Sequence, residues 1–462
     1  MNNSIVRWER DFTRTLVRLA GPIALQALIM ALMNILDNVL IGQLGQAELA
    51  GVTQANRVSF LLHIGLFGLV SGCSIFMAQF WGKRDIVGIR QMMGLSLMTA
   101  FAVSLCFAIP SFLVPKAIMG LLINDAAAID AGAIYLRIIA VQYLFVSMVM
   151  VNEAALKSTE HVNLPMIAGI AGILVDSLFN YLLIFGKWGF PRMGIYGGAL
   201  STLMGGATQL SIVMIVSYRR KYPNAIRLSE LLRLPGRDVV IQYYKAVAPV
   251  LLNEGLWSLG TVMYSVAYGR MGAGAVAAMS IFTTVEQLSF IVMRGTTSAC
   301  AIMLGKSIGA GRMAEAQRNA KRFLLANISI GLFVGVFVML FAGKMTLLFA
   351  VPEETREAAR QIIFYFGMFV WLGAANGVLI VGIMRAGGDV VYSGIVDVIF
   401  LWCLSVPLVF WCGPHLGWPI EYLYLLAQVE NLLKFVVGLY RMLTGKWRHN
   451  MVDGLQNEGL GA

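Results

Sequence analysis

Apolar residues recur along this chain in runs of roughly twenty or more, separated by short stretches rich in Arg, Lys, Gly and Pro. A helical run of that length, rising about 1.5 Å per residue, crosses the ~30 Å hydrocarbon layer of a bilayer. Twelve spans are expected, near 15–41, 56–81, 92–114, 133–155, 164–186, 195–217, 242–268, 276–303, 322–349, 361–384, 392–412 and 419–441. The runs do not alternate apolar and polar positions over about ten residues, which excludes a transmembrane β-barrel. The pattern predicts an all-α polytopic membrane protein.

The second half of the pattern repeats the first. A shift of 227 residues lays Pro22 on Pro249, Gly42 on Gly269, Gly45 on Gly272, Ser71 on Ser298, Cys73 on Cys300 and Gly82 on Gly309. Prolines and glycines constrain the backbone, so their coincidence means more than matched apolar residues. Six spans per half gives both halves the same orientation, the parallel repeat found in several secondary transporters. The expected organisation is an N-terminal lobe over 1–218, a cytoplasmic linker over 219–241, a C-terminal lobe over 242–445 and a cytoplasmic tail over 446–462.

Composition agrees. Of 462 residues 58% are hydrophobic and 13% charged, against about 25% charged in soluble domains. The net charge of +11 points to nucleic acid only until the basic residues are located. Arg7, Arg10 and Arg14 precede span one, Lys83, Arg84 and Arg90 follow span two, six Arg or Lys fill 219–237, and Arg441, Lys446 and Arg448 follow span twelve, while alternate loops carry few. This asymmetry places both termini in the cytoplasm of a multi-pass cell-membrane protein and assigns the charge to orientation and anionic lipid. The five cysteines lie in or beside spans with no Cys/His cluster, so neither a metal centre nor a cofactor is expected. No catalytic constellation is visible, which argues against an enzyme, and the N-terminus carries no cleavable signal pattern.

Ionisable residues inside the spans cost at least about 2.5 kcal/mol each and need a reason. Asp37, in MNILDNVLIGQLG, shares a helix face with Asn34 and Asn38 and lies in the outer half of span one. Asp176 and Asn180 are one turn apart in span five, Asn152 and Glu153 lie in span four, and Ser201 and Thr202 in span six. Together they could surround a proton or Na⁺, a hard cation that prefers oxygen ligands. Glu254 lies in span seven, opposite Ala27 in the repeat, and Asp37 lies opposite the uncharged Tyr264. Glu430 and Lys434 are spaced for an internal ion pair.

At these residues the chain resembles the multidrug and toxic compound extrusion (MATE) family. The similar stretches are an Asp ahead of IGQLG in span one, an Ala-containing approach to the opening proline of each half (AGP and AVAP), LKSTEHVNLPM after span four, DSLFNYLLIFG in span five and GGALST in span six. The resemblance covers nearly the whole chain. It implies a V-shaped pair of six-helix bundles and a monomer that exports organic cations and amphipathic drugs in exchange for inward H⁺ or Na⁺. It makes Asp37, Asp176, Asn180, Asn152 and Thr202 the coupling-site residues, with Asp37, Asp176 and Asn180 as the ligands if the ion is Na⁺. Glu254, Met33, Asn34 and Asn376 are then expected at a substrate or second cation site. Two departures stand out. Some members have Asn then Asp in span five, whereas here Asp176 precedes Asn180. One branch has an aspartate where this chain has Ala374, which weakens a C-terminal cation site built there. The alternative reading, a flippase for lipid-linked precursors, would more often have extra spans and a cavity rich in Lys and Arg.

Overall fold

The computed structural model describes residues 2–231, 235–453 and 455, and their side chains except at 2–11, 34–36, 38, 39 and 228. The side chains of Asn34 and Asn38 therefore lie outside the described residues, as do Arg233 and residues 454 and 456–462 of the expected tail.

The first half forms α1 (Asn2–Gly42), α2 (Gln46–Lys83), α3 (Ile86–Leu113), the short α4 (Pro115–Leu122), α5 (Ala126–Ser158), α6 (Asn163–Phe185) and α7 (Ile195–Arg220). Chain chemistry sets several boundaries. Asp85 and Asp125 cap α3 and α5, accepting the Gly88 and Ala128 amides at 2.9 and 2.7 Å, which satisfies backbone donors that have no partner within the helix. Gly186 ends α6 at φ 66, where a residue with a Cβ would be strained. A four-residue helix, α8 (Leu228–Leu231), interrupts the stretch before α9.

The second half comprises α9 (Arg237–Met271), α10 (Ala273–Ser289), α11 (Ile291–Gly309), α12 (Met313–Thr346), α13 (Glu353–Gly377), α14 (Val390–Phe400), α15 (Val406–Phe410) and α16 (Ile420–Thr444). Among the described residues ten helical segments are long and apolar enough to cross a membrane, and α10 with α11 forms one more span bent by 46°. The 35-residue α9 has ample length, but Asn253 and Glu254 dilute its apolar run. It completes the twelve. The eighth span, expected as one helix, is thus broken at Phe290. Span eleven runs Val390–His415 and widens into π-type turns at Leu401–Ser405 and Trp411–His415. Pro407 and Pro414 lack the N–H that would bond the carbonyl four residues earlier, so the backbone re-pairs with a longer register. A third wide stretch, Val378–Arg385, ends span ten.

Contacts divide the chain into two compact units. The N-terminal unit holds Leu25–Val247, and the C-terminal unit holds Ala248–Asp453 together with the chain up to Ala24. In the N-terminal unit α2, α3 and α5 pack together, with Leu62, Leu66, Leu69 and Phe76 sealed from solvent. Here α2 meets α5 at Gly51, where a Cβ would stand 2.5 Å from the Ala128 carbonyl oxygen. In the C-terminal unit α12 packs on α13 through Gly335 and Gly367, and α10 and α16 bury Phe282, Phe366 and Leu423 against them. The start of α1 joins this unit: Phe12 packs edge-on against Phe323 at 5.0 Å, and Ala20 abuts Gly295, where a Cβ would lie 2.7 Å from the Ala20 oxygen. Outward faces carry exposed apolar residues such as Phe333 and Leu340, as lipid contact requires.

Candidate functional site

A close helix hairpin, α6–α7, carries the site. A Cβ at Gly205 would sit 2.7 Å from the Gly172 oxygen and 2.8 Å from Asp176 Cβ, and one at Gly197 would sit 2.7 Å from the Leu183 carbonyl carbon. Only glycines let the two backbones come this near. Gly205→Val is therefore expected to push α7 off α6 and to cost about 1–3 kcal/mol, read as a lowered thermal midpoint of the purified protein.

The close approach brings Ser201 of α7 to Asn180 of α6, its Oγ donating to Asn180 Oδ1 at 2.8 Å. With its oxygen held this way, Asn180 turns Nδ2 toward two carboxylates, donating to Asp37 Oδ1 at 3.0 Å and to Asp176 Oδ1 at 3.3 Å. Both amide hydrogens are used. Asn180 is buried while Asp37 and Asp176 stay partly exposed, so the bridge is fixed and the acids are reachable. The Ser201 and Thr202 hydroxyls border Asp176, and Thr202 also meets the buried Tyr135. Met33, one turn before Asp37, accepts a hydrogen bond from Ser177 Oγ at 3.4 Å.

Asp37, Asp176, Asn180 and Thr202 thus lie in one cluster. Asn152 lies in another set, its Nδ2 donating to the Met148 carbonyl at 2.8 Å and its Oδ1 accepting from Asn224 at 3.0 Å. It ties α5 to the chain after α7. Tyr135 and Ser177 were not legible in the sequence, because a lone tyrosine or serine in an apolar span carries no periodic signal.

Ion pairing separates this cluster from four other membrane-embedded acids, though Glu286 of α10, which faces Tyr268 and Tyr424, likewise has no ion pair among the described residues. Glu153 pairs with Lys157 at 2.7 Å, Glu254 with Arg385 at 2.6 Å, and Asp397 and Glu430 both with Lys434, at 2.8 and 2.5 Å. Among the described residues no Lys or Arg forms an ion pair with Asp37 or Asp176, and both accept from the neutral amide of Asn180. Two carboxylates facing one neutral donor repel each other, and a proton or monovalent cation relieves that repulsion. Of the other residues expected at a substrate or second cation site, Asn376 donates to the Asn431 carbonyl at 2.8 Å, and Ala374, where one branch has an aspartate, is part of the apolar core.

The MatE family matches residues 22–182 and 249–411, one block in each half of the repeat. The chain belongs to the MATE family of transporters. A probable multidrug resistance protein, YoeA of Bacillus subtilis, is 23% identical over 429 residues, 88% of this chain and 92% of that one. A probable multidrug resistance protein, NorM of Thermotoga maritima, is 22% identical over 447 residues, 96% of this chain and 94% of that one. Among solved structures, an outward-facing multidrug resistance MATE transporter superposes with a TM-score of 0.83 at 18% identity, covering 94% of this chain and 97% of that chain. A MOP superfamily transporter from Pyrococcus furiosus gives 0.83 at 19% identity, with 94% and 97% covered. At such identities the structures establish the fold of this MATE protein, twelve helices in two six-helix lobes.

Proposed function

We propose that this MATE protein is a secondary antiporter that moves organic cations and amphipathic drugs out of the cytoplasm in exchange for inward H⁺ or Na⁺. It sits in the cell membrane with both termini in the cytoplasm. The observation that carries the reading is the pair Asp37 and Asp176 held on Asn180 with no Lys or Arg paired to either among the described residues, while Glu153, Glu254, Asp397 and Glu430 each have one. Coupling follows if ion binding here and drug binding favour different conformations, so that each displaces the other. One positive charge entering down 100 mV supplies about 2.3 kcal/mol, enough for roughly a 50-fold gradient of an uncharged drug, whereas one-for-one exchange with a singly charged drug moves no net charge and is driven by the ion's concentration gradient. The acidic site suits cationic cargo, and the relatives' names support drugs as the cargo class.

The test is accumulation of ethidium in proteoliposomes with pH and Na⁺ gradients imposed separately. One gradient is expected to drive accumulation and collapse it when dissipated. Accumulation indifferent to both gradients overturns the antiport reading.

A further inference from the structure

A second polar cluster sits in the C-terminal unit, on the first, fifth and sixth spans of that half, which are the span numbers that carry the Asp37 cluster in the other half. Here α9 and span eleven run side by side. A Cβ at Gly260 would meet Leu401 Cδ2 at 2.4 Å, and one turn later on each strand of the contact Tyr264 meets Ser405, its hydroxyl 2.6 Å from Ser405 Oγ. The wide turn Leu401–Ser405 before Pro407 directs that serine. Tyr264 is the residue the repeat pairs with Asp37. Its hydroxyl also lies 2.9 Å from Glu430 Oε2 on α16. Lys434 Nζ bridges Glu430 Oε1 and Asp397 Oδ1 at 2.5 and 2.8 Å. Asp397 Oδ2 accepts from Asn253 Nδ2 at 3.2 Å.

Two carboxylates thus share one ammonium, and Lys434 and Glu430 are 4% and 8% exposed. The cluster is one negative charge in excess, about 15 Å along α16 from Ile420, where an uncompensated charge is costly. A second observation points the same way. Asn253 is 3% exposed and its Oδ1 has no hydrogen-bond partner, so the cluster holds a spare acceptor beside its excess negative charge. The other groups near it do not supply the missing charge. Tyr268 stacks on Tyr264 from the same helix, Glu286 of α10 faces Tyr268 and Tyr424, Arg385 is taken by Glu254, and α13 offers the neutral Asn376.

We propose that Glu430 is a proton-binding site of the C-terminal unit, separate from the Asp37 cluster and served by a hydroxyl relay through Tyr264 and Ser405. Glu430 takes the proton in preference to Asp397, because Oε2 faces a hydroxyl that can accept, whereas Asp397 Oδ2 faces an amide N–H that cannot. In the empty state the Tyr264 hydroxyl donates to ionised Glu430 Oε2, with Ser405 Oγ as the alternative acceptor for the same proton. A proton taken from water forms the O–H bond at Glu430 Oε2, that O–H donates to Tyr264, and the Tyr264 proton turns to Ser405 Oγ. The cluster then carries Lys434 positive and Asp397 negative, and is neutral. Lys434 already fills the space between the carboxylates, so a proton fits where a metal ion would have to compete with an ammonium.

Infrared difference spectroscopy of the purified full-length protein in detergent, titrated down from alkaline pH without any gradient, tests this independently of transport. The background is the double variant Asp37→Asn with Asp176→Asn, which silences the other cluster. Glu430→Gln in that background is expected to delete one carboxylic-acid carbonyl band and to lower proton uptake by about one per chain. Tyr264→Phe, which removes no charge, is expected to keep the band and shift it upward in frequency by removing a hydrogen bond. If Glu430→Gln fails to fold, the Tyr264→Phe shift decides alone. Retention of every carboxylic band in Glu430→Gln, or a band unmoved by Tyr264→Phe, overturns the proposal. A failed ethidium assay with these bands intact would count against antiport and leave Glu430 as a proton site.

Discussion

Asp37→Asn is expected to abolish gradient-driven ethidium accumulation in proteoliposomes, at least tenfold below the unaltered protein, while leaving the fold intact. The asparagine oxygen still accepts from Asn180 Nδ2, now 3.0 Å from Asp37 Oδ1, and the repulsion with Asp176 disappears. The thermal midpoint should therefore stay level or rise, the reverse of what loss of a structural ion pair would give. Asp176→Asn leaves the Asp37 carboxylate in place, and a partial loss is expected. Full uptake by Asp37→Asn would remove the cluster from the coupling mechanism.

The second large effect concerns stability. Lys434→Met strips the one ammonium from Asp397 and Glu430, both within 2.8 Å of it, and leaves the Asp397 charge buried alone. Removing one partner of a buried pair in this way costs about 3–5 kcal/mol. The measurement is the unfolding midpoint in detergent, with Asp397→Asn added as a second substitution to recover part of the loss. A Lys434→Met protein as stable as the original would show that packing, and not the triad, holds span eleven to span twelve.

The spans and the repeat were legible because a bilayer imposes length and apolarity on each helix independently. Helix spacing likewise put Asp176 and Asn180 on one face and Glu430 beside Lys434. What periodicity does not report is which neighbouring helix a face meets. Asn152 looks like a partner for Asp176, but its side-chain oxygen accepts from Asn224, 72 positions away, and its N–H donates to the Met148 carbonyl. Lys434 has a second acid, Asp397, 37 positions back, that no local spacing announces. The break at Phe290 is similarly silent, since the apolar run continues through it.

The split makeup of the C-terminal unit has a consequence for biogenesis. Ala20 packs against Gly295 and Phe12 against Phe323, so the opening of α1 emerges roughly 300 residues ahead of its partners, on the order of 15–60 seconds at ordinary translation rates. During that interval this part of the first helix has entered the bilayer without the surface it will settle on. A larger residue at Gly295 should accordingly let every helix insert and yet stall the final assembly, giving full-length protein that remains open to protease near its first span.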